Sequence, residues 1–284
     1  MTTIQWFPGH MAKARREASE KLNLVDIVLE LVDARIPESS RNPMIQEIVG
    51  AKPRIIVLNK ADLANPQATQ QWLNYYHEQG LPAVALDAQH SKGLKGLEKE
   101  CQRIMAPYFE KQRAKGVKPR AIRLMILGIP NVGKSTLINR FVGKNQAITG
   151  NKPGVTKAQR WLKMGNSFEL LDTPGILWPK FDDPDVGKKL ALTGAIKDQL
   201  LHMDELALYL IQYCRQFHAE TFCKRYRLTK EELESQSNVD VLLQVTKHLG
   251  LKDDYDQASM RLINDYRQQN LGAMTLDLVS ERAV

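Results

Sequence analysis

Gly128-Ile129-Pro130-Asn131-Val132-Gly133-Lys134-Ser135 follows the apolar run Ile122 to Leu127 and leads into the helical pattern Lys134 to Val142. It fits the phosphate-loop spacing G-x-x-x-x-G-K-[ST], a tight turn that aims successive backbone N–H groups at phosphate oxygens. Gly133 lets the backbone approach closely, Lys134 brings a point charge to the β- and γ-phosphates, and Ser135 offers a hydroxyl to Mg²⁺. The phosphate-binding set read from this loop is Asn131, Val132, Gly133, Lys134, Ser135 and Thr136.

Asn59-Lys60-Ala61-Asp62 lies well upstream, at the end of a second apolar run, Arg54 to Leu58. It fits N-K-x-D, the guanine-reading pattern. An aspartate there accepts hydrogen bonds from the N1–H and 2-amino group of guanine, and adenine would leave that carboxylate unpaired. Lys60 can lie over the base plane, and Asp87-Ala88, after the short run Ala83 to Leu86, places the Ala88 N–H against guanine O6. Asn59, Lys60, Asp62, Asp87 and Ala88 form the guanine-binding set. In an ordinary small GTPase the phosphate loop comes first and the guanine reader last. The reversed order here implies a circularly permuted guanine-nucleotide switch.

Asp172-Thr173-Pro174-Gly175 supplies the D-x-x-G pattern about 40 residues after the phosphate loop. Asp172 then holds Mg²⁺, and Gly175 turns its N–H onto the γ-phosphate. Between the two motifs, Lys152-Pro153-Gly154-Val155-Thr156 offers Thr156 as a further Mg²⁺ ligand, in a loop that orders around the triphosphate. Ile176 occupies the place where a hydrolytic GTPase often has glutamine, and an isoleucine cannot orient water. His10, in Trp6-Phe7-Pro8-Gly9-His10-Met11, is the candidate to act in its stead; a partner contact is its other reading.

Short apolar runs alternate with helical patterns through the first 180 residues, which implies an α/β, doubly wound, mostly parallel sheet. Ligands of such sheets bind at the carboxyl ends of strands, where every motif above falls. After Trp178-Pro179-Lys180-Phe181-Asp182-Asp183-Pro184 the patterns become purely helical. The division expected is a circularly permuted P-loop GTPase domain at 1–180 and a small all-helical domain at 181–284.

The formal net charge is +8, with +10 on residues 1–184 and −2 on residues 185–284. Lys111 to Arg123 holds six basic residues and no acidic one. That stretch reads either as a solvated linker or as a contact for a polyanion. No run approaches a membrane span, and the N-terminus lacks the pattern of a signal peptide. Cys101, Cys214 and Cys223 are odd in number and lack C-x-x-C spacing, pointing to a reducing, cytoplasmic setting without a cysteine metal site.

Taken together, the permuted order, Trp6-Phe7-Pro8-Gly9-His10-Met11, Asp33-Ala34-Arg35-Ile36-Pro37 and Asp172-Thr173-Pro174-Gly175-Ile176-Leu177-Trp178-Pro179-Lys180 resemble the YlqF-type ribosome biogenesis GTPase A family of Firmicutes. The likeness is dense from Thr3 to about Asp198 and returns at Tyr255 to Asp277. It implies a GTP-hydrolysing factor in late assembly of the large ribosomal subunit, active on the precursor particle. It also implies catalysis through His10, a K⁺ site at Asn131 beside the phosphates, and a helical RNA-binding module similar to the ANTAR antitermination domain. The expectation is a monomeric cytoplasmic protein that binds the particle with GTP and leaves after hydrolysis. A nucleotide-gated RNA-binding protein with incidental hydrolysis is the alternative.

Overall fold

The computed structural model describes residue 16 and residues 18–143, 160–164, 166–172 and 183–282. Six strands, β1 (Ile27–Asp33), β2 (Arg54–Asn59), β3 (Ala83–Ala85), β4 (Ile122–Gly128), β5 (Arg160–Met164) and β6 (Phe168–Asp172), form one sheet in the order β3-β2-β1-β4-β6-β5. All neighbours pair in parallel except β5 with β6. β1 is buried at every position, as a parallel strand covered on both faces must be.

Alternation of side chains divides the apolar residues between two faces. Val28, Met125 and Leu127 pack with Ile45, Ile48 and Val49 of helix α1 (Pro43–Val49), and on the same face Val32, Ile56 and Leu58 pack with Trp72 and Tyr76 of α2 (Pro66–Glu78). Leu29, Leu31, Ile55, Val57, Leu124 and Ile126 belong to the opposite cluster, with residues of α3 (Leu94–Ala114) and α4 (Lys134–Val142). The sequence reading missed α1. Seven residues are too few for a visible stripe, although Asn42 caps the Met44 N–H at 3.0 Å and Pro43 fills the first turn.

The helical part comprises α5 (Pro184–Leu192), α6 (Met203–Phe217), α7 (Ala219–Tyr226), α8 (Lys230–Ser235), α9 (Asn238–His248) and α10 (Tyr255–Arg267). α6 is its centre: Leu206, Ala207, Leu210, Ile211 and Cys214 form one buried stripe at helical spacing, and α5, α7, α9 and α10 all touch it. The short α8 was also missed, though Thr229 and Glu232 form a capping box that the sequence displays.

Helices and sheet share one continuous apolar cluster. After α10 the chain returns to the sheet domain and is fastened there by polar groups. The buried Asp277 carboxylate accepts hydrogen bonds from the Glu38 and Ser39 N–H groups (2.9 and 2.7 Å), the Ser39 hydroxyl (2.8 Å) and Lys189 Nζ (2.9 Å). Trp72 Nε1 donates to the Asp277 carbonyl at 2.9 Å, and the Leu276 N–H donates to the Arg35 carbonyl at 2.7 Å. No helix among the described residues is long and apolar enough to cross a membrane.

Candidate nucleotide site

Asp33, Asn59, Gly128 and Asp172 close four neighbouring strands at their carboxyl ends. β1 lies between β2 and β4, so its connections open a crevice at the switch point where an open α/β sheet binds ligands. The phosphate loop leaves β4 into this crevice and ends at Lys134, the first residue of α4. Gly133 has φ +101°, and a Cβ there would meet Asn59 Nδ2 at 2.2 Å. Both its conformation and its neighbour require glycine. A Cβ on Gly128 would approach the Leu31 carbonyl to 2.7 Å, so the loop's first glycine is fixed by the adjacent strand. The buried Lys134 ammonium donates to the carbonyls of Gly128 (3.1 Å) and Ile129 (2.7 Å), which anchors its charge within the loop.

The guanine-reading segment is stitched to the phosphate loop. Asn59 Nδ2 donates to the Val132 carbonyl at 2.8 Å, and Asn59 Oδ1 accepts the Ala88 N–H at 3.1 Å. The Asn59 amide thus joins the end of β2 to the phosphate loop and to the Ala88 turn, where the Ala88 N–H, expected at guanine O6, is bonded to Asn59 Oδ1. Asp87 likewise serves its own turn: its carboxylate accepts from the His90 N–H (3.0 Å) and lies 2.7 Å from His90 Nδ1.

Lys60, at φ +60°, donates through Nζ to Asp33 (3.0 Å) and to the Asn131 carbonyl (2.7 Å). Its head is therefore fixed, and only its aliphatic stem is available to a base. Burial would raise the Asp33 carboxyl, but Arg35 and Lys60 together outweigh that and hold it well below the carboxylate range. Arg35 binds Asp33 through Nε (2.9 Å) and Nη2 (2.7 Å), and its guanidinium lies over the Tyr266 ring of α10 at 5.6 Å. Asp33 and Arg35 were legible only as part of a family motif. The signal available was an acid at the end of an apolar strand beside the crevice.

Asp62 is exposed, and its backbone carbonyl accepts from Gln269 Nε2. Burial first, and the nearby Asp87 second, raise its carboxyl above the ordinary aspartate value. A ligand that brings two donors to this carboxylate therefore relieves repulsion as well as forming bonds. Asp62→Asn is expected to weaken GTP by about 1.5–3 kcal/mol, roughly 10–150-fold, and to admit xanthosine triphosphate, whose edge complements an amide. Titrating both nucleotides into both proteins checks this; unchanged preference for GTP would remove Asp62 as the reader.

Asn131, at φ +57°, ties the phosphate loop to the helical part, since Nδ2 donates to the Gly194 carbonyl at 2.7 Å in the turn after α5. Ser135, in the first turn of α4, and Asp172, at the end of β6, lie at the same end of the sheet. A hydroxyl and a carboxylate are the oxygen donors that suit Mg²⁺. His10, Thr156, Gly175 and the side chain of Asp172 lie outside the described residues. Cys101 and Cys214 are buried within the apolar cluster, and burial pushes the Cys101 thiol up to about 12, so it is no nucleophile.

Two basic clusters in the chain behave differently. In Lys224-Arg225-Tyr226-Arg227, Arg225 makes a two-pronged pair with Asp265 (2.8 and 3.0 Å), and the buried Tyr226 donates its hydroxyl to the same carboxylate. Those two hold helices together. In Lys111 to Arg123, Arg120 binds Asp26 and Arg123 binds Glu169, while Lys111, Arg113, Lys115 and Lys118 are exposed and have no carboxylate partner among the described residues.

The strand bearing the guanine reader precedes in the chain the strand bearing the phosphate loop, yet the two flank β1 in one doubly wound sheet. That arrangement defines a circularly permuted P-loop GTPase. The family model described as 50S ribosome-binding GTPase matches residues 123–271. Ribosome biogenesis GTPase A of Priestia megaterium is 54% identical over 282 residues, covering 98% of each chain. The chain belongs to the ribosome biogenesis GTPase A family. Mitochondrial ribosome-associated GTPase 1 of Mus musculus is 32% identical over 301 residues, covering 96% of this chain and 90% of the mouse protein. GNP-bound YlqF from T. maritima shares the fold, with a TM-score of 0.61 at 24% identity over 94% of this chain and 98% of that one.

Proposed function

We propose that the protein is a GTP-hydrolysing assembly factor for the large ribosomal subunit, which binds the precursor particle in the GTP state and leaves after hydrolysis. The family names support a GTPase acting in ribosome assembly. The observation that carries the finer reading is the wiring of both nucleotide motifs into the helical part. Asn131 of the phosphate loop bonds Gly194, and Lys60 connects through Asp33 and Arg35 to Tyr266 of α10. A nucleotide that shifts Asn131 or Lys60 thereby acts on elements that carry the helices, which is what a switch read by a docked particle needs.

Ser135, Thr156 and Asp172 would hold Mg²⁺, which would neutralise charge on the phosphates. Lys134 and the loop N–H groups bind and orient the phosphate chain, Gly175 contacts the γ-phosphate, and His10 positions the attacking water. Asn131 would present the oxygen end of its amide to K⁺, which would supply the positive charge that an arginine finger otherwise brings. The helical region from residue 181 onward contacts RNA.

GTP turnover with and without purified large subunits, in K⁺ and in Na⁺, tests the proposal. Stimulation by the particle, greater in K⁺, is expected. Slow turnover indifferent to the particle would instead select a nucleotide-gated RNA-binding protein, the reading that Ile176 favours.

A further inference from the structure

We propose that a ribbon of surface built around Asp26 is a platform for an unpaired RNA strand. This rests on the reading of the protein as a partner of an RNA particle and assigns it a surface and a ligand chemistry. Two aromatic side chains, Tyr108 of α3 and Trp161 of β5, are each 41% exposed. A guanidinium lies over each ring, Arg120 at 5.8 Å from the centroid of Tyr108 and Arg123 at 5.7 Å from that of Trp161.

Both arginines are held in place by the same carboxylate. Arg120 forks onto the two oxygens of Asp26 (2.7 and 2.8 Å). The Arg123 N–H donates to Asp26 at 2.8 Å, and its side chain donates to Glu169 at 3.0 Å. Asp26 sits just before β1, and Arg120 just before β4, at the amino-terminal ends of strands whose carboxyl ends carry the nucleotide motifs. The two ring–arginine pairs are therefore successive stations of one rigid ribbon.

Lysines surround it. Lys111 and Lys52 line a cleft of about 420 Å³ beside Tyr108 and Pro53. Lys115 and Lys118 are exposed on the turn between α3 and β4, and Lys163 shares the exposed side of β5 with Trp161. The acids of the ribbon, Asp26 and Glu169, are already paired with arginine. A protein interface of this kind would be depleted of lysine at its centre. A duplex would use the charges and leave the rings idle. An unpaired strand uses both, because every base has a π-face to stack on an aromatic ring while its phosphates meet the cations.

The test measures binding of a fluorescent single-stranded oligoadenylate, and of a duplex of the same length, to the full chain across a KCl series. Tyr108→Ala and Trp161→Ala are each expected to lose about tenfold or more of the single-strand affinity with an unchanged salt slope. The triple variant Lys111→Gln, Lys115→Gln, Lys118→Gln is expected to flatten that slope by about 0.7 per lost phosphate contact. All should bind a fluorescent guanine nucleotide as the wild type does, which controls for folding. Wild-type oligonucleotide affinity in both aromatic variants, or preference of the wild type for duplex, overturns the platform. Failure of the parent reading would look different: oligonucleotide bound through Tyr108 and Trp161, yet no large subunit bound by the wild type.

Discussion

Replacing His10 with alanine is expected to leave GTP affinity unchanged and to remove most of the particle-stimulated turnover, by roughly 10²–10⁴-fold, the range general acid–base groups supply. The reason is Ile176. An aliphatic side chain directly after D-x-x-G gives the attacking water nothing to bind, so a polar group must come from elsewhere. His10 follows the Pro8-Gly9 pair in a segment rich in motif residues, and an imidazole can orient water or accept its proton near neutral pH. If His10 instead only docks on RNA, the variant binds the particle weakly but turns over normally once saturated. The kcat at saturating particle therefore decides. A wild-type value there takes His10 out of the catalytic assignment.

Lys134→Ala is expected to abolish measurable hydrolysis, a loss of about 10³-fold or more, while the protein remains folded. In this site the ammonium is held by the Gly128 and Ile129 carbonyls, so its charge is prepositioned and needs no reorganisation as charge develops on the phosphates. Removing one such preorganised donor typically lowers turnover by about 10²–10³, and Lys134 also contributes to binding the ground state. The fold should tolerate the change. Two hydrogen bonds to carbonyls are lost, at about 1 kcal/mol each, and the apolar clusters on either sheet face are untouched. Single-turnover hydrolysis and a thermal unfolding curve, measured together, check both halves. Retained turnover would overturn the phosphate-loop assignment.

By charge alone, Arg120 would be as good a phosphate contact as Lys115 or Lys118. Its fork onto Asp26 makes it a structural residue whose face, not its edge, is presented. Neutralising Arg120 would disturb the start of β1 along with any RNA contact, so the lysines are the informative substitutions.

The sequence alone determined the elements whose signals are local. Strands β2 and β4 announced themselves as apolar runs closed by motif residues, and α4 was bounded by the phosphate loop before it and a glycine after it. The permutation was legible because motif order is a property of the chain, not of its folding. The identities of Gly133, Lys134, Ser135 and Asp62 followed from chemistry that a nucleotide imposes at fixed spacing. Short elements such as α1 escaped because their periodic signal is too brief to rise above composition. The tertiary structure alone decided everything that depends on partners distant in sequence. Asn59 reads as a base contact, and the fold also ties the phosphate loop to the Ala88 turn through it. Asp33 and Arg35 became a buried relay from Lys60 to Tyr266, and Asp277 became the anchor of the returning chain on Glu38, Ser39 and Lys189. A buried carboxylate or amide must find its donors somewhere, but a linear pattern does not say where. Only folding brings residues 35 and 266, or 39 and 277, within hydrogen-bonding or ring-contact range, and that proximity decides whether a polar side chain meets the ligand or holds the site that does.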